Sequence, residues 1–435
     1  MEFRPDHRSG EIDRRRFLAG AAAGLAAGAY PAVARCQEKT KLVLWSWLPN
    51  FEMQIDLFRA AHPNIEVELV NAGQGDPQYA NIRTSLKAGS GIPDVVNMEF
   101  QFISSFRQTG SLLDIGQWAN PHKAKFTPGS WEQVSEGDEV YAMPWDSGPM
   151  AMIYRTDIFE RYGIAVPRTW AEYADAAIKL HAADQNLFLT NATFIVGGWT
   201  NALLWQAGWR PIMRDGNALK IRINDQVAKD FSRYWQRLLD LGVIETIGFT
   251  TEWFAGLDRG RYATWLAPAW GPVFLSNVAK NSAGKWRAAD LPQWKDGDFV
   301  TSNWGGSTLA VMATTEHPAE AAELAIWLTT DPETTRLYTT KQFLFPTQKA
   351  ILESQEFLNH KSEFYGEQAV NEVFVRASGA VDLGFEWSPF QDFFYQTMTD
   401  EIGVALGGNG TMEEAFDRIQ DAVVAFAQDQ GFTVL

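Results

Sequence analysis

Short apolar runs alternate with amphipathic stretches along the first third of the chain. Lys41–Trp47, KLVLWSW, reads as a strand. After Pro49, the stretch Phe51–Ala61 sets Phe51, Ile55, Phe58 and Ala61 at helical spacing, and Pro63 ends it. Ile65–Val70 alternates as a second strand. Tyr79–Lys87 carries Tyr79, Ile82 and Leu86 on one face, Gly89-Ser90-Gly91 stops it, and Asp94–Met98 makes a third strand. Strands and helices alternating at this spacing predict βαβ units and a parallel sheet. Ligands of such sheets bind beyond the carboxyl ends of the strands, here Trp45-Ser46-Trp47, 71–74 and Glu99–Gln101. Further along, Thr169–Ala183, Gln226–Leu241, Pro318–Thr329, Pro332–Thr339 and Thr411–Gln428 have the helical period. No repeat of the solenoid kind and no linker rich in Gly, Pro or Ser divides the chain.

Charge and the N-terminus narrow the function classes. The 435 residues hold 53 acids and 37 bases, a balance unsuited to general nucleic-acid binding, which needs a basic face. The one long uncharged apolar run is Phe17–Ala34, behind Arg14-Arg15-Arg16 and ending in Ala32-Val33-Ala34. A charged start, a short apolar run and a small-residue site make a secretory signal. The RRRFL core resembles the twin-arginine signal for proteins exported already folded. Cleavage is expected near Ala34, which places the mature chain in the periplasm. Cys36 is the sole cysteine, so an intramolecular disulfide and a cysteine zinc cluster are excluded.

Catalytic signatures are absent. The six histidines show no zinc spacing, and there is no nucleophile elbow or phosphate loop. Gly89-Ser90-Gly91 follows a helix and enters a strand, the reverse of a nucleotide turn. No metal and no cofactor is expected. The unusual number is aromatic: 18 Trp and 28 Phe. Indole faces suit the C–H faces of sugar rings, and carboxylates accept from hydroxyls in charge-assisted bonds. An exported enzyme acting on glycans through a carboxylate pair, or a polyamine-binding protein using Trp and carboxylates, would share this composition.

Six stretches in order carry a family resemblance. They are Tyr79–Val96 (YANIRTSLKAGSGIPDVV), Gly110–Ile115, Tyr141–Asp146 (YAMPWD) with Ile153–Phe159, Gly163–Trp170, Trp205–Gly208 and Gly305–Val311. Together they resemble the extracellular solute-binding proteins of carbohydrate ABC importers, the maltose-binding-protein type, from Lys41 to about Gln428. The resemblance implies an α/β protein with the two-lobed type II periplasmic binding protein fold. Each lobe would be a sheet flanked by helices, with the ligand cleft between them. Residues 35–147 plus 303–350 would form lobe 1, and 150–300 plus 354–435 lobe 2, after the signal at 1–34. Crossings are expected at Ser147–Met150, Val300–Asn303 and Lys349–Ser354. Carried over residue by residue, the ligand site would draw on Trp45, Ser46, Trp47, Glu99, Gln101, Asp146 and Trp199. It would continue with Trp270 in the loop after a strand at Tyr262–Leu266, the return loop Trp304-Gly305-Gly306, and Arg376 and Trp387 on the last long loop. The implied function is capture of a carbohydrate, a di- or oligosaccharide or glycoside, by a monomer that hands it to the permease subunits in the membrane, with no chemistry and no nucleic-acid partner.

Overall fold

The computed structural model describes residues 39–435 apart from Gln74, Asn217 and Phe343. The export signal, its cleavage site and Cys36 lie outside the described residues. In chain order the first elements are β1 (Thr40–Trp45), α1 (Glu52–Ala61), β2 (Ile65–Val70), α2 (Asp76–Ala88), β3 (Val95–Glu99), α3 (Phe100–Gln108) and β4 (Ala142–Pro144). Next come β5 (Met150–Arg155), α4 (Trp170–Ala183), α5 (Gly197–Gln206), α6 (Gln226–Asp240), β6 (Thr264–Pro268), α7 (Gly271–Val278) and β7 (Trp286–Ala289). The last are β8 (Ser307–Val311), α8 (Pro318–Thr330), α9 (Gln391–Leu406) and α10 (Met412–Asp429).

Local chemistry accounts for several boundaries. Thr169 and Glu172 form a reciprocal capping box that starts α4, and Thr411 and Glu414 do the same for α10. Gly89 ends α2 in the left-handed region at φ 66°, where a glycine carries no Cβ penalty.

Two sheets organise the molecule. The first has the order β2-β1-β3-β8-β4. β1 runs parallel to β2 and β3, and β8 returns antiparallel between β3 and β4. Leu42, Leu44, Val95, Val96 and Leu309 from its strands bury with Ile55, Phe58, Leu324 and Leu328 from α1 and α8. The second sheet is β6-β5-β7, antiparallel throughout. β5 is buried on both faces. Met150 and Met152 join a core with Trp170, Trp199, Trp235 and Phe416, while Ala151 and Ile153 join another with Trp265, Trp286 and Phe345.

Three extended segments run side by side between the two sheets. The Ser147 N–H donates to the Phe345 carbonyl at 2.9 Å, and the Met150 N–H to the Ser302 carbonyl at 3.0 Å. The Trp304 N–H donates to the Gly148 carbonyl at 2.8 Å, and the Gly148 N–H to Asn303 Oδ1 at 2.8 Å. Thr347 Oγ1 donates to the carbonyls of Pro144 and Trp145, both at 3.2 Å. The third segment is thus extended at 345–347, whereas Lys349–Leu352, inside the expected crossing, forms a helical turn.

Asp146 belongs to this hinge. Its Oδ1 accepts from the Ser307 N–H at 2.8 Å, and burial pushes its carboxyl up to about 6, against the lowering effect of the Ser307 bonds. A carboxyl raised in the native state contributes stability that is complete below its unfolded value of about 4 and lost as pH rises through about 6. Asp146→Asn keeps an acceptor for Ser307 and removes the titration. Between pH 4 and 7 its stability relative to the parent should rise by about 2–3 kcal/mol, read from denaturant melts across that range. Parallel pH curves for the two proteins would contradict it.

Gly148 is where the backbones come closest. A Cβ at 148 would collide with the carbonyl oxygen of Trp304. Gly148→Ala should therefore lower the unfolding free energy by about 2–4 kcal/mol, since neither backbone can yield without breaking the paired segments. An unchanged denaturant midpoint would show that the crossing segments tolerate separation.

Candidate functional site

Trp47 follows β1 and Glu99 closes β3, both at the carboxyl ends of the first sheet's strands. Glu99 is half-buried. Tyr79 Oη, on α2, donates to Glu99 Oε2 at 3.1 Å and accepts from the Glu99 N–H at 2.9 Å. Trp47 lies just past β1 and meets the Tyr79 ring edge-on at 6.5 Å. Burial, with the Glu99 carboxylate second, pushes the Tyr79 phenol well above its usual range. Burial, with the same carboxylate second, also raises the phenol of Tyr395 on α9.

A second group of candidate side chains is aromatic. Trp304, half-buried on the return segment, packs against the start of α5, where Gly198 lies under its indole. Trp270 and Trp304 meet at 5.0 Å and 66°, and Trp270 Nε1 donates to the Trp304 carbonyl at 3.1 Å. Phe274, one turn into α7, stands 5.3 Å from Trp270 and is 52% exposed. Phe249 stands 5.7 Å from Trp304 and is 36% exposed. In water such rings cost free energy by exposing apolar surface, and a ring-shaped ligand removes that cost.

Several candidates read from the sequence fall in these two groups. Trp47 and Glu99 belong to the first and Trp270, Trp304 and Gly305 to the second, where a Cβ at Gly305 would fall 3.1 Å from Trp270 Nε1. Gly306 holds φ 94° because Phe100 and the Asp146–Ser147 backbone press on it; a Cβ would sit 2.7 Å from the Asp146 carbonyl oxygen. Ser46 is buried, and its Oγ accepts from the Leu48 N–H at 3.2 Å and donates to Asn97 Oδ1 at 3.4 Å. Trp45 ends β1, packed against the first core. Gln101 is buried at the start of α3, and its Oε1 has no partner.

Other candidates lie elsewhere. Trp199 is inside α5, not before it; it is 1% exposed and donates from Nε1 to the Leu266 carbonyl at 3.1 Å. The strand expected at Tyr262–Leu266 runs instead over Thr264–Pro268, with Trp265 inside it and Trp270 two residues beyond its end; the terminal proline is accommodated because this is an edge strand. Arg376 is on the helix Val370–Gly379, not in a loop, and is exposed and paired with Asp290 at 2.8 Å. Trp387 packs with Trp205 and Phe385, donating to Gln133 Oε1 at 3.1 Å. It lines a separate groove of about 440 Å³ with Arg107, Glu136, Arg214 and Glu386. Arg107 and Arg214 both face Glu136 there, so the charges are already matched. The sequence reading missed Tyr79, Tyr395, Phe249, Phe274 and the Gly197-Gly198 pair. Only the glycine pair, two poor helix formers opening an otherwise apolar helix, left a local signal.

Among the described residues no group of three or more His, Cys, Asp or Glu could hold a metal ion, and no helix is long and apolar enough to cross a membrane.

Comparison with known proteins fits this architecture. Residues 46–335 match the family model described as bacterial extracellular solute-binding protein. The chain is 25% identical over 299 residues to the arabinooligosaccharide-binding protein of Halalkalibacterium halodurans, covering 64% of each chain. It spans about three fifths of the length of this relative and of its Bacillus subtilis counterpart, 64% and 58%. Among solved structures, the ABC transporter associated binding protein of B. animalis subsp. lactis in complex with β-1,6-galactobiose is 30% identical. It superposes with a TM-score of 0.78 over 91% of this chain and 99% of that one. The galacto-N-biose/lacto-N-biose I-binding protein of Bifidobacterium longum, in complex with lacto-N-biose, is 23% identical, with a TM-score of 0.80 over 92% of this chain and 99% of that one. With two sheets, each with its own helices, joined by paired crossing segments beside a cleft, the chain has the two-lobed type II periplasmic binding protein fold. It belongs to the bacterial extracellular solute-binding proteins.

Proposed function

We propose that this protein is the carbohydrate receptor of an ABC importer, capturing a di- or oligosaccharide between its lobes and delivering it to the permease. The observation that carries the reading is the cleft itself. Trp304, Trp270 and Phe274 form one aromatic cluster, Phe274 exposed, and Glu99, held by Tyr79, ends a strand of the first sheet; on this reading the two are the sides of the cleft. Flat apolar faces beside hydrogen-bonding edges match the two kinds of surface a pyranose presents. The galactobiose and lacto-N-biose complexes of its structural relatives support the same class.

The mechanism is differential binding. A ligand touching only one lobe stabilises open and closed forms equally and shifts nothing; one that bridges Glu99 and the Trp304–Trp270 wall favours closure. The hinge for this motion is the set of paired segments at 147–150, 301–304 and 345–347. The protein acts as a monomer, and no bond in the ligand is made or broken.

Titration calorimetry of the mature chain against mono-, di- and oligosaccharides and polyamines tests the reading. Saturable binding of a di- or oligosaccharide, recovered intact, is expected. Polyamine binding without a sugar response, or cleavage of the sugar, would overturn it. A carboxylate accepts at several lone-pair sites, so Glu99 can hold Tyr79 and a sugar hydroxyl together. Glu99→Ala should weaken that binding by about 1.5–3 kcal/mol, the range for a hydrogen bond to a charged group. Unchanged affinity would assign Glu99 to positioning Tyr79 alone.

The export reading rests on Arg14-Arg15-Arg16-Phe17-Leu18 before a soft apolar run. Lysine at both Arg14 and Arg15 should abolish periplasmic accumulation, followed by cell fractionation. Normal periplasmic yield would contradict the twin-arginine route.

A further inference from the structure

The start of α5 breaks three local rules at once. Its N-cap is Val196, which has no side-chain oxygen to satisfy the first N–H groups. Its first two residues, Gly197 and Gly198, are the poorest helix formers after proline. Neither has a positive φ, so backbone geometry does not require glycine at either position. Local rules broken together with no backbone reason point to a constraint from outside the helix.

Two rings supply it. A Cβ on Gly198 would sit 2.6 Å from Trp304 Cδ1, and closer still to Nε1. A Cβ on Gly197 would sit 2.8 Å from Tyr395 Cδ1 and 2.9 Å from its Cγ. The rings come from different parts of the chain, the return segment and α9. The Trp304 backbone is held in place, its N–H donating to the Gly148 carbonyl and its carbonyl accepting from Trp270 Nε1, so a clash at 198 must be relieved by the ring.

We propose that Gly197 and Gly198 are positioning residues that set the depth of the ligand cleft. They seat Trp304 and Tyr395 against the helix start, and so fix how far each ring stands from the α5 backbone. A methyl group at 198 lifts the indole into the space a ligand ring would fill. The ligand-binding consequence rests on the carbohydrate reading; the seating of the rings does not.

The test uses Gly198→Ala in the mature chain, with two readouts. The first needs no ligand: acrylamide quenching of Trp304, taken as the difference between each protein and the same protein with Trp304→Phe. Gly198→Ala should make Trp304 measurably more accessible. The second is affinity for the disaccharide that binds the parent. Gly198→Ala should weaken it by about ten-fold or more, and in a Trp304→Ala background the same change should have an effect of about two-fold or less, the coupling expected of residues in contact. Alanine is the better helix former, so a role confined to the helix predicts a more stable protein with both readouts unchanged; that result overturns the proposal. If Gly198→Ala does not fold, Gly198→Ala with Trp304→Ala must fold, because the obstruction is gone, and failure of that double variant overturns it too. If the parent binds no sugar, the carbohydrate reading falls, while the quenching comparison still decides the seating.

Discussion

The close approach of the Trp304 and Gly148 backbones is the constraint on which the rest of the molecule turns. One contact makes Trp304 part of the hinge through its N–H on Gly148, and part of the aromatic wall through its ring on Gly198. Residues with side chains at 148 or 198 would separate these roles. The crossing segments and the aromatic cluster are therefore joined through one residue, Trp304. Gly306 extends the same packing to the first lobe, since its lack of a side chain lets Phe100 and the Asp146–Ser147 backbone close on the return segment.

The contacts between lobes are not confined to the hinge. Arg83 of α2 pairs with Asp392 of α9, and α9 packs on both α3 and α5. Trp205 of α5 buries with the core of the first sheet, stacking on Phe385 at 4.3 Å and 17° and donating to the Asp382 carbonyl at 2.8 Å. The Arg83–Asp392 pair is partly exposed and contributes little on its own. The buried tryptophan is the stronger tie, because its area is removed from water.

Much of the fold is legible in the sequence, because its elements follow from periodicity and capping that local chemistry controls. Ile65–Val70 matches its apolar alternation residue for residue, and the helices opened by Thr169 and Thr411 begin where their capping boxes place them. The site is less legible, because most of its residues are conspicuous only in three dimensions. Tyr79 reads as an ordinary member of an amphipathic helix, and Tyr395 lies on a helix, Gln391–Leu406, that the periodicity does not bring out. The tryptophan excess points in two directions: Trp145, Trp170, Trp199, Trp205, Trp209, Trp235, Trp253, Trp265 and Trp286 are all fully buried, so most of the surplus builds cores. Those left in the cleft, Trp47, Trp270 and Trp304, are distinguished by the glycines and strand ends beside them, not by their own neighbours in the sequence. Asp146 follows a strand and stands at a crossing, where its carboxylate accepts from the Ser307 N–H, a partner that only the fold supplies.

If the Trp304–Trp270 aromatics and Glu99 together recognise the ligand, a crystal structure of the mature protein with its bound disaccharide should show a sugar ring resting against the Trp304 or Trp270 indole, with a hydroxyl in hydrogen-bond reach of the Glu99 carboxylate. Sugar density in the groove between Arg107, Arg214 and Trp387, with the Trp304 wall empty, would contradict it.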